Sequence, residues 1–457
     1  MLIRRSRRSG MVALLAIASA SSLALSACSS SSKTSTSSGP VTITVATVSN
    51  PLMTTIEQLT PGGFEKSNPN IKVKFVTDDE NTERAAVEKD VATGGGQYDV
   101  VMIGPNDIAS WAKNGWIKDL TSSVASDSSY DVSDLLPPIR SALSSNGKLY
   151  ALPFYGESSF IMYNKPMFAA AHLTMPANPT WTQIAALAAK LNNPSTGVAG
   201  ICLRGLTGWG DNLASLDTVV NTFGGQWFNT KWDAELTSPA FEQATNFYVN
   251  LVKADGEKGA GNDSFNQCLT IMQQQKAAMW YDATVAASTL DAAGSPVAGK
   301  IGFAPAPVDK TKSSGWLWSW ALGLEGASKN QAAALKFMEW ATSKQYIAYD
   351  AAKNGWASVP PGTRTSTYQN TSYLAAAKDF APLTLQELDS VNVARPGLLA
   401  QPVPGVQYVG IPEFEDFGQQ VSAQITAAID GQESVAAALS KSQTIAQQAV
   451  ISAGYKK

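Results

Sequence analysis

The sequence predicts an α/β protein in which a parallel sheet is flanked by helices. Between Val41 and Ile103, two strand–helix units lead to a third strand, and this order is typical of a parallel sheet. Residues 180–290 show mainly amphipathic helices separated by short strands. The chain of 457 residues is long enough for two or three domains.

The N-terminal residues predict export and a lipid anchor. A positive segment contains Arg4, Arg5, Arg7 and Arg8. It is followed by the apolar residues 11–20, which are too few to span a membrane, and then by "LSA" directly before Cys28. This pattern resembles a lipoprotein signal peptide over residues 1–27, with a lipid on Cys28. The alternative to lipidation is that Cys28 follows the signal peptide by chance. The segment is compatible with export by either the Sec or the twin-arginine route. The Ser- and Thr-rich residues 28–40 predict a flexible tether.

The charge and composition exclude several classes of protein. Cleavage after residue 27 would change the net charge from −3 to about −7, and no basic run remains, which argues against nucleic-acid binding. No other apolar stretch approaches the roughly 20 residues of a transmembrane helix. We therefore expect an exported globular protein, anchored by lipid to the outer face of a bacterial cytoplasmic membrane.

The cysteines and the one histidine predict no metal site and no cofactor. Besides Cys28 the chain has only Cys202 and Cys268, which either form one disulfide or stay free, since a chain of this length folds without disulfides. Two cysteines and His172 are too few for a Cys/His zinc site. His172 follows an apolar run and is predicted to cap a helix end.

The first half of the chain predicts a series of strands in order. Strands are expected at residues 41–49, at 71–79 after a helix that ends near Asn68-Pro69, and at 98–103. The glycines at 94–96 follow a helix and precede a strand, which is the reverse of a phosphate-binding loop, so they predict a helix stop. Residues 147–165 predict two short strands broken at Pro153.

The second half predicts four more strands, in "GVAGICLRG", "KAAMWYDA", "KIGFAPAPV" and "GWLWSWALGL". In the last of these, alternation places Trp316, Trp318 and Trp320 on one face, and Leu317, Ser319 and Ala321 on the other. The tryptophans form either a core face or a platform for a ligand.

Longer segments resemble a known family. The segments "YALPFYGESSFIMYNKPMF" and "WLWSWALGLEGASKNQAAALKFMEWATS" are similar to extracellular solute-binding proteins of ABC importers. The segments "GICLRGLTGWGDN", "VNTFGGQWF", "MWYDATVAA", "GWASVPPGTR" and "GVQYVGIPEF" resemble the branch that binds the polyols mannitol, sorbitol and arabitol. The resemblance extends from about Val41 to the C-terminus.

The resemblance implies a two-lobed, periplasmic-binding-protein-like α/β fold of type II, with a ligand cleft between the lobes. The N-terminal lobe would comprise residues 41–153 and 317–355, and the C-terminal lobe residues 154–316 and 356–457. Three hinge crossings are expected near 153–156, 316–324 and 354–360. It also implies a monomer that is not an enzyme, and that closes on a polyol or small sugar and delivers it to membrane permease subunits.

Polyol binding requires aromatic faces for C–H groups and charged or amide groups for hydroxyls. Glu157 is a candidate acceptor for two hydroxyls, or else a solvated loop carboxylate. Arg204 is a candidate donor, or else part of a surface ion pair. Trp209 and Asn212 in "GWGDN" are candidates for stacking and an amide contact, with core packing as the alternative for Trp209. Asp282 contacts ligand or caps a helix.

Further candidates lie on both predicted lobes. Trp318 and Trp320 are expected on the cleft floor, with Trp316 a weaker candidate at the start of the crossing. Gln407 and Tyr408 are predicted to contribute from the C-terminal lobe. From the N-terminal lobe the candidates are Asn50, Asn106 and Asp107. The sequence departs from the branch at Pro105-Asn106, where relatives often carry an aromatic–Glu pair.

Two other functions are compatible with parts of the sequence. The same fold could bind a disaccharide or an oligosaccharide, which would need an open groove rather than a small closed pocket. A surface-anchored glycoside hydrolase would need two carboxylates about 5–10 Å apart, for which Glu157 and Asp282 are the available pair.

Overall fold

The computed structural model describes residues 39–456. The predicted signal peptide, Cys28 and all but the end of the predicted tether lie outside these residues. From Pro40 onward the chain forms one compact unit. Within the described part, none of the helices has the length and apolar character that would let it cross a membrane.

The described strands form two main sheets and a small hairpin. The strands are β1 (Val41–Val48), β2 (Ile71–Asp78), β3 (Val100–Ile103), β4 (Ser144–Ser145), β5 (Lys148–Leu149), β6 (Ala151–Glu157), β7 (Ser159–Asn164), β8 (Met279–Ala283), β9 (Ile301–Pro305) and β10 (Trp318–Leu324). The larger sheet has the order β2-β1-β3-β10-β6, with β1 parallel to β2 and β3, and β10 antiparallel to both its neighbours. The smaller sheet, β8-β7-β9, is antiparallel.

Helices pack around these sheets and dominate the C-terminal part. They are α1 (Pro51–Leu59), α2 (Glu80–Thr93), α3 (Pro105–Asn114), α4 (Thr121–Ser126), α5 (Pro137–Ala142), α6 (Lys165–Ala170), α7 (Trp181–Leu191), α8 (Asn212–Phe223), α9 (Pro239–Asp255), α10 (Phe265–Gln273), α11 (Ala286–Leu290), α12 (Gln331–Ala341), α13 (Lys344–Asn354), α14 (Thr365–Gln369), α15 (Thr371–Ala376), α16 (Ala381–Ser390), α17 (Phe414–Ile429) and α18 (Val435–Ser452). The predicted α/β class is confirmed.

The opening units form for the local reasons that the sequence indicates. Strand β1 lies between β2 and β3 and buries Ile43, Val45, Thr47 and Val48. Helix α2 starts where the Asp79 side chain accepts a hydrogen bond from the Thr82 amide, and it ends at Gly94, whose φ of 64° is left-handed. The glycine run is therefore a helix stop, as predicted. His172 also follows a helix end and has a φ of 55°.

Strand β6 differs from its prediction. It runs through Pro153 without interruption, and the chain changes sheets at Ser158, between β6 and β7. Pro153 is tolerated because the register of β6 against β10 shifts between Trp320 and Ala321. A bulge of this kind accommodates a residue that has no amide hydrogen.

Two other strand predictions are wrong in detail. The segment "GVAGICLRG" is not a strand and makes only single bridges, at Val198, Ala199 and Cys202. The amides of Gly200 and Ile201 donate instead to the carbonyl of Asp255 at the end of α9, so they are not available to a ladder. Strand β10 begins at Trp318, and Trp316 precedes it.

The two main sheets meet where β6 ends. Gly156 pairs with Ser319 of β10, and its amide donates to the carbonyl of Pro361 at 2.9 Å. Gly362, with a φ of 72°, packs so closely that an added Cβ would lie 1.9 Å from the Gly156 carbonyl oxygen. Backbone atoms of three segments that are distant in sequence, at Gly156, Ser319 and Pro361-Gly362, are therefore in direct contact. The residue ranges of the lobes and the three hinge crossings remain predictions.

Cys202 and Cys268 form a disulfide across a sequence separation of 66 residues. The bond joins the segment that carries Arg204 to helix α10. Both cysteines are fully buried, and a carboxylate oxygen of Glu257 lies within 4.8 Å of both sulfurs. Because the sulfurs are bonded to each other, this group is not a metal site.

Replacing both cysteines by alanine should lower the stability of the protein. Closing a loop of this length restricts the unfolded chain and contributes about 4 kcal/mol in the chain-entropy model. Urea unfolding of the double variant and of the oxidised parent measures the difference. If the parent contains no free thiols and yet unfolds at the same urea concentration as the double variant, this contribution is contradicted.

Candidate functional site

Two adjoining cavities lie where β6, β10 and the start of α2 come together. The first, which we call the main cavity, has a volume of about 100 Å³, and the second, the tryptophan cavity, about 30 Å³. Their linings share Glu80, Glu157, Arg204 and Trp320. The cavities therefore form one continuous site with these four side chains at its centre.

Glu157 presents an unpaired carboxyl group to both cavities. It is the last residue of β6 and is only 5% exposed. Burial raises the pKa of Glu157 well above its ordinary value, and Arg204 opposes this effect only in part. Among residues 39–456 no side chain or backbone group donates a hydrogen bond to this carboxyl group. Its oxygens are free to pair with ligand hydroxyls.

Arg204 is held rigidly at the junction of the cavities. Its Nε and Nη2 donate to the two Asp282 oxygens at 2.8 and 2.6 Å, and its Nη1 donates to the Gly210 carbonyl at 2.8 Å. Burial would lower the pKa of Arg204, but the Asp282 charge raises it above its ordinary value. Asp282 lines neither cavity and also accepts from the indole of Trp280. It orients Arg204 and is not placed to touch a ligand.

The tryptophans belong to the core and to the cavity lining at once. Trp209, Trp316, Trp318 and Trp320 are each no more than 5% exposed, and all four line the tryptophan cavity. Trp318 and Trp320 meet edge-to-face with ring centroids 5.6 Å apart. Trp320 alone of the four also borders the main cavity. The two interpretations of the tryptophan-rich strand are therefore not exclusive.

Two buried polar atoms on the lining have no partner among the described residues. They are Nε1 of Trp316 and Oε1 of Gln407. The Gln407 amide nitrogen donates to the Leu317 carbonyl at 3.2 Å, which fixes the orientation of the group. A buried donor or acceptor left unpaired costs about 1–3 kcal/mol, so a hydroxyl-rich ligand would relieve both. Trp316, the weaker candidate in the sequence, is thus placed on the lining.

The start of α2 supplies lining residues that the sequence analysis missed. Glu80 borders both cavities, Asn81 the main cavity and Arg84 the tryptophan cavity. They follow directly after β2, whose carboxyl end lies at the same edge of the parallel sheet as that of β1. This position, where ligands bind in α/β sheets, is the signal that could have identified them.

Arg84 lies among the tryptophans rather than in solvent. Its Cζ is 4.1 Å from the ring centroid of Trp209, 4.5 Å from that of Trp320 and 5.1 Å from that of Trp318. Its Nη2 donates to Oε1 of Glu80 at 2.9 Å. The indole faces thus hold a cation that is already paired with a carboxylate.

Polar contacts join the start of the chain to later segments around the main cavity. The Asn81 amide donates to the Thr207 carbonyl at 3.0 Å and to Asp211 at 2.9 Å, and Asn266 donates to the Ser49 carbonyl at 2.7 Å. Burial, with the Glu80 charge, raises the pKa of Asp211 to about 6. These bonds enclose the cavity.

Asn50 lines the main cavity and also has a structural role. Its Oδ1 accepts from the Met53 amide and caps α1, and its Nδ2 donates to the Tyr155 hydroxyl, each at 3.0 Å. Tyr155 also lines the main cavity. Asn50 therefore positions the Tyr155 hydroxyl at the cavity wall.

Besides Asp282, four sequence candidates are not brought to either cavity. Asn212 is fully buried, and its amide bonds to Ser422 and Thr426 of α17. Tyr408 packs edge-to-face on Trp318 with centroids 5.9 Å apart. Asn106 and Asp107 start α3 beyond the tryptophans and line neither cavity. In each case the side chain is bonded to, or packed against, another part of the protein.

Asn106 and Asp107 instead form an acidic cluster with Glu415 of α17. The Asn106 amide nitrogen donates to Asp107 at 2.7 Å and to Glu415 at 2.8 Å, so one nitrogen holds both carboxyl groups. Burial, and for Glu415 also the nearby Asp107, raises the pKa of both residues. The cluster favours one shared proton over two charges.

Comparison with known proteins identifies the family. Residues 46–348, about two thirds of the chain, match the model of the bacterial extracellular solute-binding proteins. The chain belongs to this family. Its fold is accordingly the two-lobed α/β fold of type II, which agrees with the two separate sheets. Family members bind solutes and are not enzymes.

Individual relatives resemble nearly the whole chain. The mannitol-binding protein of Pseudomonas aeruginosa is 43% identical over 92% of this chain and 95% of its own length. An ABC transporter solute-binding protein from Agrobacterium vitis, solved with bound D-mannitol, is 47% identical, with a TM-score of 0.89 over 91% of this chain and 100% of that chain. A solute-binding protein from Agrobacterium radiobacter in complex with ribitol has a TM-score of 0.79 at 24% identity, over 90% and 99% of the two chains, and supports the fold alone.

Replacing Glu415 by glutamine should reduce the loss of stability at high pH. The folded protein keeps a proton on the Asp107–Glu415 pair, whereas the unfolded chain releases it above about pH 4. Stability is therefore complete below that pH and falls as the pH rises through the raised pKa of the pair. Urea unfolding at pH 5 and pH 8 should show a smaller difference in the free energy of unfolding for the variant than for the parent.

The matched control is Glu433→Gln, because Glu433 is bonded to the exposed Lys441 rather than to this cluster. It should keep the parent's pH dependence. An equal difference between pH 5 and pH 8 in Glu415→Gln and in the parent would contradict the shared proton.

Proposed function

We propose that this protein captures a hexitol, with mannitol as the first candidate, and delivers it to the permease of an ABC importer. Closure of the two lobes encloses the ligand in the joined main and tryptophan cavities. The observation that carries the proposal is the unpaired Glu157 carboxyl group, which lines the same two cavities as the fixed Arg204 and the indole of Trp320. Relatives of 43% and 47% identity, one named for mannitol and one solved with it, support the same conclusion.

The chemistry of the lining suits an open-chain polyol. Every hydroxyl of such a ligand needs a partner when it leaves water, and its carbon chain has apolar C–H faces. Glu157 and Gln407 Oε1 supply acceptors, and Trp316 Nε1 supplies a donor. The indole of Trp320 supplies an apolar face that borders both cavities.

The size and closure of the cavities favour a short ligand over an oligosaccharide. The main cavity of about 100 Å³ is enclosed by the bonds that Asn81 and Asn266 make to distant segments. An oligosaccharide would require an open groove at this place. The glycoside hydrolase alternative loses the carboxylate pair that the sequence offered, since Asp282 is bound to Arg204 and lines neither cavity.

A ligand panel tests the proposal directly. The domain from Ser29 onward should be stabilised against heat by mannitol and by related hexitols, and not by maltose or maltotriose, because only a ligand of the folded state raises its stability. Replacing Glu157 by glutamine should weaken mannitol binding by roughly 0.5–1.5 kcal/mol, the worth of one hydrogen bond, because an amide NH2 stands where a carboxyl oxygen could accept. Isothermal titration calorimetry measures the affinity.

Glu433→Gln is the matched control, because Glu433 pairs with the exposed Lys441 and lines neither cavity. It should bind mannitol as the parent does. Among the tryptophans, Trp320→Ala should cost more affinity than Trp318→Ala, since Trp320 borders both cavities. Stabilisation by disaccharides alone would overturn the polyol assignment.

We further propose that the mature protein is a monomer held at the outer face of the cytoplasmic membrane by a lipid on Cys28. The arginines, the short apolar segment and "LSA" before Cys28 support this location. When the full chain is expressed in a bacterium, the parent should fractionate with membranes and incorporate labelled palmitate. Cys28→Ala should do neither, and equal labelling of the two forms would contradict the anchor.

A further inference from the structure

The side chain of Arg84 separates the ligand cavities from a third space. This space, which we call the outer groove, has a volume of about 370 Å³. Arg84 and Trp209 line both the outer groove and the tryptophan cavity, and they are the residues common to the two linings. The groove is therefore adjacent to the ligand site. Arg84 and Trp209 divide it from the tryptophan cavity, and Asn81 divides it from the main cavity.

We propose that Arg84 limits the length of the ligand, so that the site accepts a single polyol chain and excludes one extended by a sugar ring. This inference rests on the proposed function. Without the Arg84 side chain, the main cavity, the tryptophan cavity and the outer groove would form one continuous channel. Arg84 is on this view a specificity-determining residue.

The Arg84 side chain is packed too firmly to swing aside. Its guanidinium lies within about 5 Å of three indole rings and is bonded to Glu80. The backbone of Gly210 closes the remaining side, since an added Cβ there would lie 2.1 Å from Glu80 Oε1 and 3.3 Å from Arg84 Nη2. Only 11% of the Arg84 side chain is exposed. A ligand cannot displace it without breaking these contacts.

The outer groove could hold the part of a longer ligand that Arg84 excludes. It is lined by acceptors and an amide, among them Glu88, Asp416 and Gln419. Carboxylate and amide oxygens are suitable partners for sugar hydroxyls. The groove also borders Trp209, whose ring would be exposed on the side that Arg84 now covers. The chemistry of a sugar site is present on both sides of the arginine.

The test uses a pair of ligands that differ only in length. These are mannitol and a mannitol that carries one glucosyl group on a terminal hydroxyl. Calorimetry on the parent, Arg84→Ala and Arg84→Met gives the ratio of the two dissociation constants. The parent should bind mannitol alone, and Arg84→Ala should improve the ratio for the longer ligand by at least about tenfold.

Arg84→Met separates volume from charge, because methionine fills much of the same space without the positive charge. It should keep the parent's preference for the shorter ligand. If Arg84→Met admits the longer ligand as Arg84→Ala does, exclusion by size is overturned. Trp209→Ala removes the other side chain of the same wall and is the variant to use if Arg84→Ala does not fold. It should improve the ratio of dissociation constants for the longer ligand to the same extent.

The remaining outcomes also decide the question. Folded Arg84→Ala that binds mannitol and still rejects the longer ligand overturns the inference. Loss of both ligands from folded Arg84→Ala overturns it as well, because Arg84 would then hold the ligand rather than limit its length. A parent that binds no polyol refutes the proposed function instead, so the two failures are distinguishable.

Discussion

The site depends on the backbone contact between Gly156 and Gly362, at the point where one sheet gives way to the other. Side chains on either glycine would force the two segments apart, and β6 could not then pair with β10 up to Glu157. Because Tyr155 and Glu157 stand on β6, and Trp318 and Trp320 on β10, this pairing sets the lining of both cavities. The ligand site is thus built on strands, which hold side chains more rigidly than loops do.

The distribution of buried charge explains why Glu157 is the functional carboxylate. Asp282 neutralises Arg204 through two bonds, and Glu80 neutralises Arg84. Buried pairs of this kind compensate each other's lost hydration. Glu157 has no such partner, and it remains in the folded protein at a cost in stability. A group that is costly to the fold and faces a cavity indicates a role in binding.

The sequence predicted the sheet-forming units well, because period-two patterns and helix caps are local signals. It placed the break in β6 at Pro153 since a bulge that tolerates proline depends on the partner strand, which local sequence does not reveal. Glu157, Arg204 and Trp320 were found as isolated charges or aromatics in apolar context. Asn212 looked equivalent, and only its burial against α17 shows its structural use. Glu80 and Arg84 were missed because charges at the start of a helix usually face solvent.

The tryptophan-rich strand is best understood through Arg84. A core of indoles alone would need no charge, and a ligand platform would leave one indole face free. Here the faces of Trp209, Trp318 and Trp320 surround a guanidinium that Glu80 anchors. The arrangement keeps the indoles rigid without a ligand, and Trp320 still borders the main cavity. A rigid wall loses less conformational entropy on binding than one that must assemble around each ligand, so the same contacts that shorten the site also pre-organise it.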